Sequence, residues 1–426
     1  MVAKIVSPSG RSRRTVGSAV PLGSVASSWI PVMPSTVGES RGPMSRMIVP
    51  PPGAGTMSRM SEPISGFDAR PDYDPASEGF TPVTTDEGKL RQLVDYLAEH
   101  VSAYRDGAPV PWTGSPEEIR AARAAANDRS ARLPDAIVHA SMLVLGAGVD
   151  HTLPFVAFDG AACRIEDFGA GGVPVRVFVP ADPTGAVVVA AHGGAWWMGD
   201  GTARDGSFGP DCAALAQRSG AVVVDVDMRL APEHRMPAAA EDLVAAVAWA
   251  RTAPIPEIAA GAAVVLWGRS SGGHAAFLAA KMLHDADADV TSLALTAPSL
   301  DLRGRSTDML EAIFGHADAT DPSVSPALGD ASWLPRLHVQ TGTEDDTVAG
   351  GDVVVAKLQE AGEAATMSEF LATHFVAVPA VQRERITDLA RHILDATGTA
   401  RVLPGEPSGD YDKDAIDRAN EESWGR

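Results

Sequence analysis

Short apolar runs alternate with helical patterns through the second half of the chain. The apolar runs are rich in β-branched and small residues, which is typical of buried strands, and apolar residues between them recur at helical spacing. The strand candidates are 186–191, 221–227, 262–267, 291–296, 336–341 and 367–372. The main helix candidates are 237–252, 271–284, 349–361 and 380–396. This alternation predicts an α/β fold with a mostly parallel central sheet and helices on both faces.

Different patterns precede that region. Residues 164–168 and 173–179 have the character of a β-hairpin around a glycine-rich turn. Upstream, the apolar residues of 90–101 fall at helical spacing. Ser115-Pro116-Glu117-Glu118 is a capping box that opens an Ala- and Arg-rich helix to about Arg132. These helices are interpreted either as a lid or as a hairpin that only packs on the sheet edge.

Composition and charge limit the partners of this chain. It has 426 residues, of which 45% are hydrophobic and 21% charged, and its formal net charge is -20. Such an acidic chain disfavours nucleic acid and anionic membranes as partners, and no apolar stretch is long enough for a spanning helix. The two cysteines, Cys163 and Cys212, form no CxxC, which favours a reducing, cytoplasmic location. Export is the alternative, since Ser12-Arg13-Arg14 is similar to a twin-arginine signal.

A Gly-x-Ser-x-Gly pattern points to a serine nucleophile. The pattern occurs twice, at 38–42 and at 268–272. A nucleophile elbow requires a strand before the serine and a helix after it. No strand precedes Ser40 and a proline follows its motif, whereas Ser270 stands between a predicted strand and a predicted helix. Ser270 is therefore the predicted nucleophile.

His192-Gly193-Gly194 at the end of strand 186–191 predicts an oxyanion hole. Glycines there expose backbone N–H groups where side chains would obstruct them, so Gly193 and Gly194 are the predicted donors, together with the N–H of Ser271. His192 is interpreted as an anchor for the loop. Trp196 and Trp197 are candidates for the wall of the acyl site, with burial in the core as the equal alternative.

The order nucleophile, acid, histidine along the chain indicates where the remaining groups lie. Three acids, Glu344, Asp345 and Asp346, compete for the position after strand 336–341. His374 stands at the end of the next strand and is the predicted base. Three other histidines are alternatives for the base and are interpreted differently. His392 is predicted at the surface of a helix, His274 as a packing or site-lining residue, and His316 in a loop.

These motifs together resemble the hormone-sensitive-lipase-like branch of the α/β hydrolases, also called bacterial lipolytic family IV. The family's segments match at 192–194, at Arg-Leu-Ala-Pro-Glu-His (229–234) and, in part, at Ser-Pro-Ala (325–327). The resemblance spans about 160–396. It implies Asp345 as the triad acid and a helical cap built from the N-terminal region.

The chain departs from the family pattern at several positions. Arg269 replaces an acidic residue before the nucleophile, Ser271 replaces an alanine after it, and Met228 replaces an aromatic residue. The acid motif lacks its proline, and His374 lacks a following glycine. Arg269 is interpreted as a substrate-binding residue that favours anionic or polar substrates, or as one partner of a salt bridge to a neighbouring loop.

The resemblance and the composition together predict four segments. Residues 1–62 are expected to be disordered or an upstream extension, since 1–60 hold seven Lys/Arg and one acid without periodicity. Residues 63–150 form a linker and helical cap, 151–400 the α/β-hydrolase catalytic domain, and 401–426 a charged C-terminal tail.

The expected function is that of a serine carboxylesterase acting on short- to medium-chain acyl esters through an acyl-enzyme. The expected partner is a small-molecule ester, no cofactor or metal is expected, and the resemblance permits a homodimer. Two alternatives remain: an amidase or arylformamidase with the same triad, and a non-catalytic binding protein that keeps the fold.

Overall fold

The computed structural model describes residues 79–403, apart from 82, 106–109, 147–162, 346–349, 361, 363 and 402. All of these belong to one of two contact units, Thr56–Arg426; the other is Met1–Gly55. The predicted extension 1–62, the export motif, Ser40 and nearly all of the tail 401–426 lie outside the described residues.

A sheet of eight strands forms the centre of the described region. The strands are β1 Cys163–Ala170, β2 Val173–Pro180, β3 Val187–Ala191, β4 Val222–Val226, β5 Val264–Arg269, β6 Ser292–Thr296, β7 Arg336–Gly342 and β8 Ala365–Phe370. Their order is β1-β2-β4-β3-β5-β6-β7-β8. The hairpin β1–β2 joins β4 in antiparallel fashion, and all later pairs are parallel. The predicted fold class, a mostly parallel α/β sheet, is confirmed.

Helices cover both faces of this sheet. They are α1 Asp86–His100, α2 Ser102–Arg105, α3 Pro116–Leu145, α4 Gly201–Ala203, α5 Gly209–Ser219, α6 Ala238–Ala250, α7 Ser271–Asp285, α8 Thr307–Phe314, α9 Gly351–Glu360 and α10 Pro379–Thr397. Alternation along β3 explains the two layers: Val187 and Val189 belong to an apolar cluster with residues of α6, α7 and α9, whereas Val188 belongs to a second cluster with residues of α5 and α10. Because both faces are buried, the central strands are mostly apolar.

The N-terminal helices pack on each other and on the loop after β8. Leu93 of α1 and Val144 of α3 share an apolar cluster with Val376 of that loop. The capping box at Ser115 is present, with both reciprocal hydrogen bonds. Helix α3 does not end near Arg132 as predicted but continues through Pro134 to Leu145. A proline tends to end or kink a helix, and here packing of the following turns against α1 outweighs that tendency.

His392 is buried rather than exposed, so its predicted surface position is wrong. Its side chain on α10 stacks on His338 of β7, with ring centroids 4.8 Å apart, and lies 2.7 Å from Ser292 Oγ. Burial lowers the pKa of His392 to about 3, so the ring is neutral near pH 7. The predicted helix at this position is present as α10, but it turns this polar position toward the sheet.

None of the helices within the described residues is both long and apolar enough to cross a membrane.

Candidate active site

Ser270 stands on a strained turn between β5 and α7. Its backbone angles are φ 54° and ψ -120°, a conformation that non-glycine residues rarely adopt. Close packing around the turn requires glycine on both sides: a Cβ at Gly268 would lie 2.3 Å from the carbonyl oxygen of Gly272, and one at Gly272 would lie 2.3 Å from that of Ala191. The glycines of the motif therefore allow the turn to lift the serine above the sheet.

Three predicted side chains meet at this turn. The Ser270 Oγ lies 3.1 Å from His374 Nε2, and His374 Nδ1 lies 2.8 Å from Asp345 Oδ2. The Asp345 side chain is fully buried and that of His374 is 13% exposed. With the Nδ1–H donated to the carboxylate, Nε2 is left to accept a proton from the serine hydroxyl. Of the competing acids, Glu344 is exposed and Asp346 lies outside the described residues.

A short turn after β8 holds His374 in place. The Thr373 N–H donates to the Val376 carbonyl, and the Val376 N–H donates to Thr373 Oγ1. Val376 is fully buried under the N-terminal helices, which fixes the turn from above. Phe375 is 63% exposed and contacts the His374 ring edge-on. The base is therefore positioned by its neighbours in sequence and by the helices that cover them.

The backbone beside Ser270 offers donors for an oxyanion. The N–H groups of Gly193, Gly194 and Ser271 have no acceptor among the residues that the structure describes. Gly193 approaches the nucleophile so closely that a Cβ there would lie 3.2 Å from Ser270 Cβ. Gly194 has φ +126°, a region that favours glycine. We call residues 192–199 the oxyanion loop.

The buried side chain of His192 stabilises this loop. Its Nδ1–H donates to the carbonyl oxygen of Gly193 at 2.7 Å, and the ring is buried. Burial lowers the pKa of His192, so the neutral ring is favoured at neutral pH. Gly199 packs directly on the ring, and a Cβ there would lie 2.2 Å from Nδ1. These contacts agree with the predicted anchoring role.

Helix α3 ties the N-terminal helices to the oxyanion loop through Arg123. Its guanidinium donates to the carbonyl oxygens of Trp197 and Ala231 and pairs with Glu233. The Ala231 N–H in turn donates to the Trp196 carbonyl at 2.9 Å. The Arg-Leu-Ala-Pro-Glu-His segment therefore supports the loop structurally, which explains its place beside the site.

Asn127, one turn further along α3, makes a second link. Its Oδ1 accepts from the Gly199 N–H at 3.0 Å, and its amide nitrogen donates to Asp200. Neither Arg123 nor Asn127 belongs to a motif that predicts a functional role. Helix α3 is rich in arginine and alanine, and no spacing signal distinguishes these two positions from their neighbours.

The structure places Trp196 and Trp197 in packed surroundings and not on the cavity at Ser270. Trp196 is 8% exposed, and its Nε1–H donates to His274 Nδ1 at 3.5 Å. Trp197 is 5% exposed and packs edge-to-face on Trp112. The core interpretation is therefore favoured over the acyl-site wall. His274 is fully buried beside Trp196, and burial lowers its pKa to about 4, which agrees with the packing interpretation.

Arg269 makes the predicted salt bridge, but to a helix. Its guanidinium pairs with Asp211 of α5 at 2.7 Å, donates to Ser207 Oγ at 3.3 Å and lies over the Phe208 ring. The side chain keeps 29% of its surface exposed. Because the bridge leaves part of the guanidinium accessible, the two interpretations of Arg269 do not exclude each other.

A cavity of about 270 Å³ opens at Ser270 and His374. Helix α3 contributes an apolar wall, and residues of helix α10 and Arg269 also line the cavity. The apolar wall is formed by Leu133, Pro134 and Ile137. Within the described part of the chain, no three His, Cys, Asp or Glu side chains cluster as metal ligands.

Comparisons with known proteins agree with this geometry. A family model for the alpha/beta hydrolase fold matches residues 188–377. A versiconal hemiacetal acetate esterase of Aspergillus parasiticus is 36% identical over 124 residues, which cover 29% of this chain and 37% of that protein. A carboxylic ester hydrolase of Mycobacterium tuberculosis is 27% identical over 222 residues, covering 46% of this chain and 58% of that protein. The chain thus spans less than two thirds of the length of both relatives.

Solved structures show the same architecture. An arylesterase structure superposes with a TM-score of 0.55 at 20% identity, covering 74% of this chain and 100% of that one. At that identity the likeness concerns the fold alone. Over residues 188–377 the chain thus has the alpha/beta hydrolase fold, and its motifs are similar to those of the hormone-sensitive-lipase-like branch.

Proposed function

We propose that this protein is a serine carboxylesterase that hydrolyses short- to medium-chain acyl esters through Ser270, His374 and Asp345. The observation that carries the proposal is the hydrogen-bond chain from the Ser270 hydroxyl through His374 to a fully buried carboxylate. A serine hydroxyl is a weak nucleophile at neutral pH, and an imidazole oriented by a carboxylate is the arrangement that activates it. The two relatives reported above are named as ester hydrolases, which supports the same activity.

The proposed reaction has two halves. His374 Nε2 takes the proton as Ser270 Oγ attacks the ester carbonyl, and the new oxyanion accepts hydrogen bonds from Gly193, Gly194 and Ser271. Collapse of this intermediate breaks the ester bond, and His374 gives its proton to the leaving alcohol. The acyl group then remains on Ser270. Water attacks it with His374 again as base, which releases the acid.

Asp345 has the supporting role in both halves. Its carboxylate accepts the Nδ1–H of His374 and so keeps the proton-accepting Nε2 toward the serine. It also stabilises the imidazolium that forms during attack. Because the Asp345 side chain is fully buried, water screens this interaction little.

Cavity size supports a small acyl group. The cavity of about 270 Å³ is slightly smaller than the roughly 300–1,000 Å³ that is common for sites of drug-sized ligands. Long-chain triglycerides exceed this space, whereas acetyl and butyryl esters fit within it.

An acyl-length panel tests this function. For p-nitrophenyl acetate, butyrate, octanoate and palmitate, we expect kcat/KM to be greatest at acetate or butyrate and at least about tenfold lower at palmitate. We also expect a burst of p-nitrophenol in stopped-flow traces, because the acyl-enzyme forms before it is hydrolysed.

The same assay separates the two alternatives. Faster hydrolysis of butyranilide or formanilide than of the matched ester would favour an amidase. Absence of turnover on every ester and anilide would favour a binding protein that keeps the fold, and the carboxylesterase proposal would then fail.

A further inference from the structure

Charged and polar side chains line the same cavity as the nucleophile. Arg269 on β5, Asp211 on α5, and Gln382 and Arg385 on α10 all contribute to the same cavity as Ser270. We call these four residues the arginine end. A purely apolar acyl chain would gain nothing from such a lining, because burying charged groups against it costs free energy.

The arginine end has one positive charge more than it has negative charges. Asp211 is almost fully buried; it accepts from Arg269 at 2.7 Å and from the Gln382 amide at 3.4 Å. One carboxylate thus stands against two guanidinium groups. The neighbouring acid, Asp345, accepts a hydrogen bond from His374 and keeps its negative charge, which also acts on Arg385.

Arg385 is the less satisfied of the two arginines. Its guanidinium has one side-chain hydrogen bond within the described residues, from Nη1 to Gln382 Oε1 at 3.4 Å, and its buried Nε has no described acceptor. Burial lowers the pKa of Arg385, although the nearby carboxylates of Asp211 and Asp345 raise it. The charge is therefore poorly compensated by the protein alone.

We propose that the arginine end binds a carboxylate carried by the ester substrate, so that the preferred substrates are esters that carry a second, anionic group. This inference rests on the proposed function and deepens it. A carboxylate there would bring the arginine end to neutrality and give Arg385 the acceptor that it lacks. Two N–H groups of a guanidinium match two carboxylate oxygens, which makes the pairing directional.

The carboxylate can belong to either half of the ester, and matched substrate pairs distinguish them. On the acid side, monoethyl glutarate is compared with ethyl 5-methylhexanoate, in which isopropyl replaces the carboxylate. On the alcohol side, 4-acetoxybutanoate is compared with 4-methylpentyl acetate. Initial rates in a pH-stat give kcat/KM for each ester. We expect the wild-type protein to favour the anionic member of at least one pair by about tenfold or more.

Arg385→Gln tests the residue that carries the inference. The anionic-to-neutral ratio of kcat/KM is expected to fall by about tenfold or more, because a charge-assisted hydrogen bond is lost. Arg391→Gln is the matched control: it lies on the same helix, is exposed and does not line the cavity, so the ratio should stay at the wild-type value.

A measurement on the wild-type protein keeps the inference testable if Arg385→Gln does not fold. Valerate should inhibit hydrolysis of the neutral esters at a concentration about tenfold lower than its uncharged amide, pentanamide, does. Ser270-dependent turnover without preference for either anionic ester, together with equal inhibition by these two compounds, would overturn the inference alone. Absence of turnover on all four esters would instead overturn the proposed function.

Discussion

Replacing Ser270 by alanine is expected to lower kcat for p-nitrophenyl acetate by about 10⁴- to 10⁶-fold. The hydroxyl that accepts the acyl group is removed, and the remaining oxyanion loop supplies only residual catalysis. The change should leave stability nearly unaffected, since Ser270 Oγ has no described hydrogen-bond partner besides His374. The measurement is the steady-state rate, combined with a urea unfolding curve to show that the fold is retained.

Ser40→Ala provides a matched control for that variant. Ser40 stands in the other Gly-x-Ser-x-Gly pattern of the chain, but the sequence predicts no strand before it. Its replacement should leave kcat within about twofold of the wild-type value, since a nucleophile elbow requires a strand before the serine and a helix after it. Wild-type rates in Ser270→Ala, or a collapse of activity in Ser40→Ala, would show that the nucleophile is misassigned.

Gly194→Ala is expected to lower kcat by about 10²- to 10³-fold, comparable to the loss of an oxyanion-hole donor. An added Cβ at this position would lie 2.0 Å from the Met198 carbonyl oxygen, and the backbone φ of +126° is strained for alanine. The oxyanion loop must therefore shift, which moves the N–H groups of Gly193 and Gly194 away from the reacting carbonyl.

Gly201→Ala separates this effect from general backbone strain. Gly201 also has positive φ, at +51°, but a Cβ there would meet no heavy atom within 4 Å. This variant should lose some stability and little activity. If Gly194→Ala and Gly201→Ala had the same kcat, the proposed oxyanion hole would need to be placed elsewhere.

Sequence patterns predicted the strands and the three triad residues, but few of the residues that surround the triad. The apolar runs predicted β3 to β7 to within a few residues, because strands buried on both faces have few polar positions. Ser270, Asp345 and His374 were predicted from order along the chain and from family motifs, and the structure brings them within hydrogen-bond distance.

The contacts between residues far apart in the chain could not be predicted from the sequence. Arg123 and Asn127 contact the oxyanion loop although more than 70 residues of chain separate them from it, and only the packing of α3 reveals these contacts. Arg385 belongs to a helix whose periodic pattern predicts its existence but not which polar residue faces the cavity. His392 is a second example, since a helical repeat does not predict whether a polar residue at the border of the apolar face is buried.

Covalent labelling followed by peptide mass spectrometry tests the central claim most directly. A fluorophosphonate should add to the wild-type protein once, on the peptide that contains Ser270, and labelling should slow by orders of magnitude in His374→Gln because the hydroxyl then has no adjacent base. A label on another serine, or equally fast labelling without His374, would contradict the account.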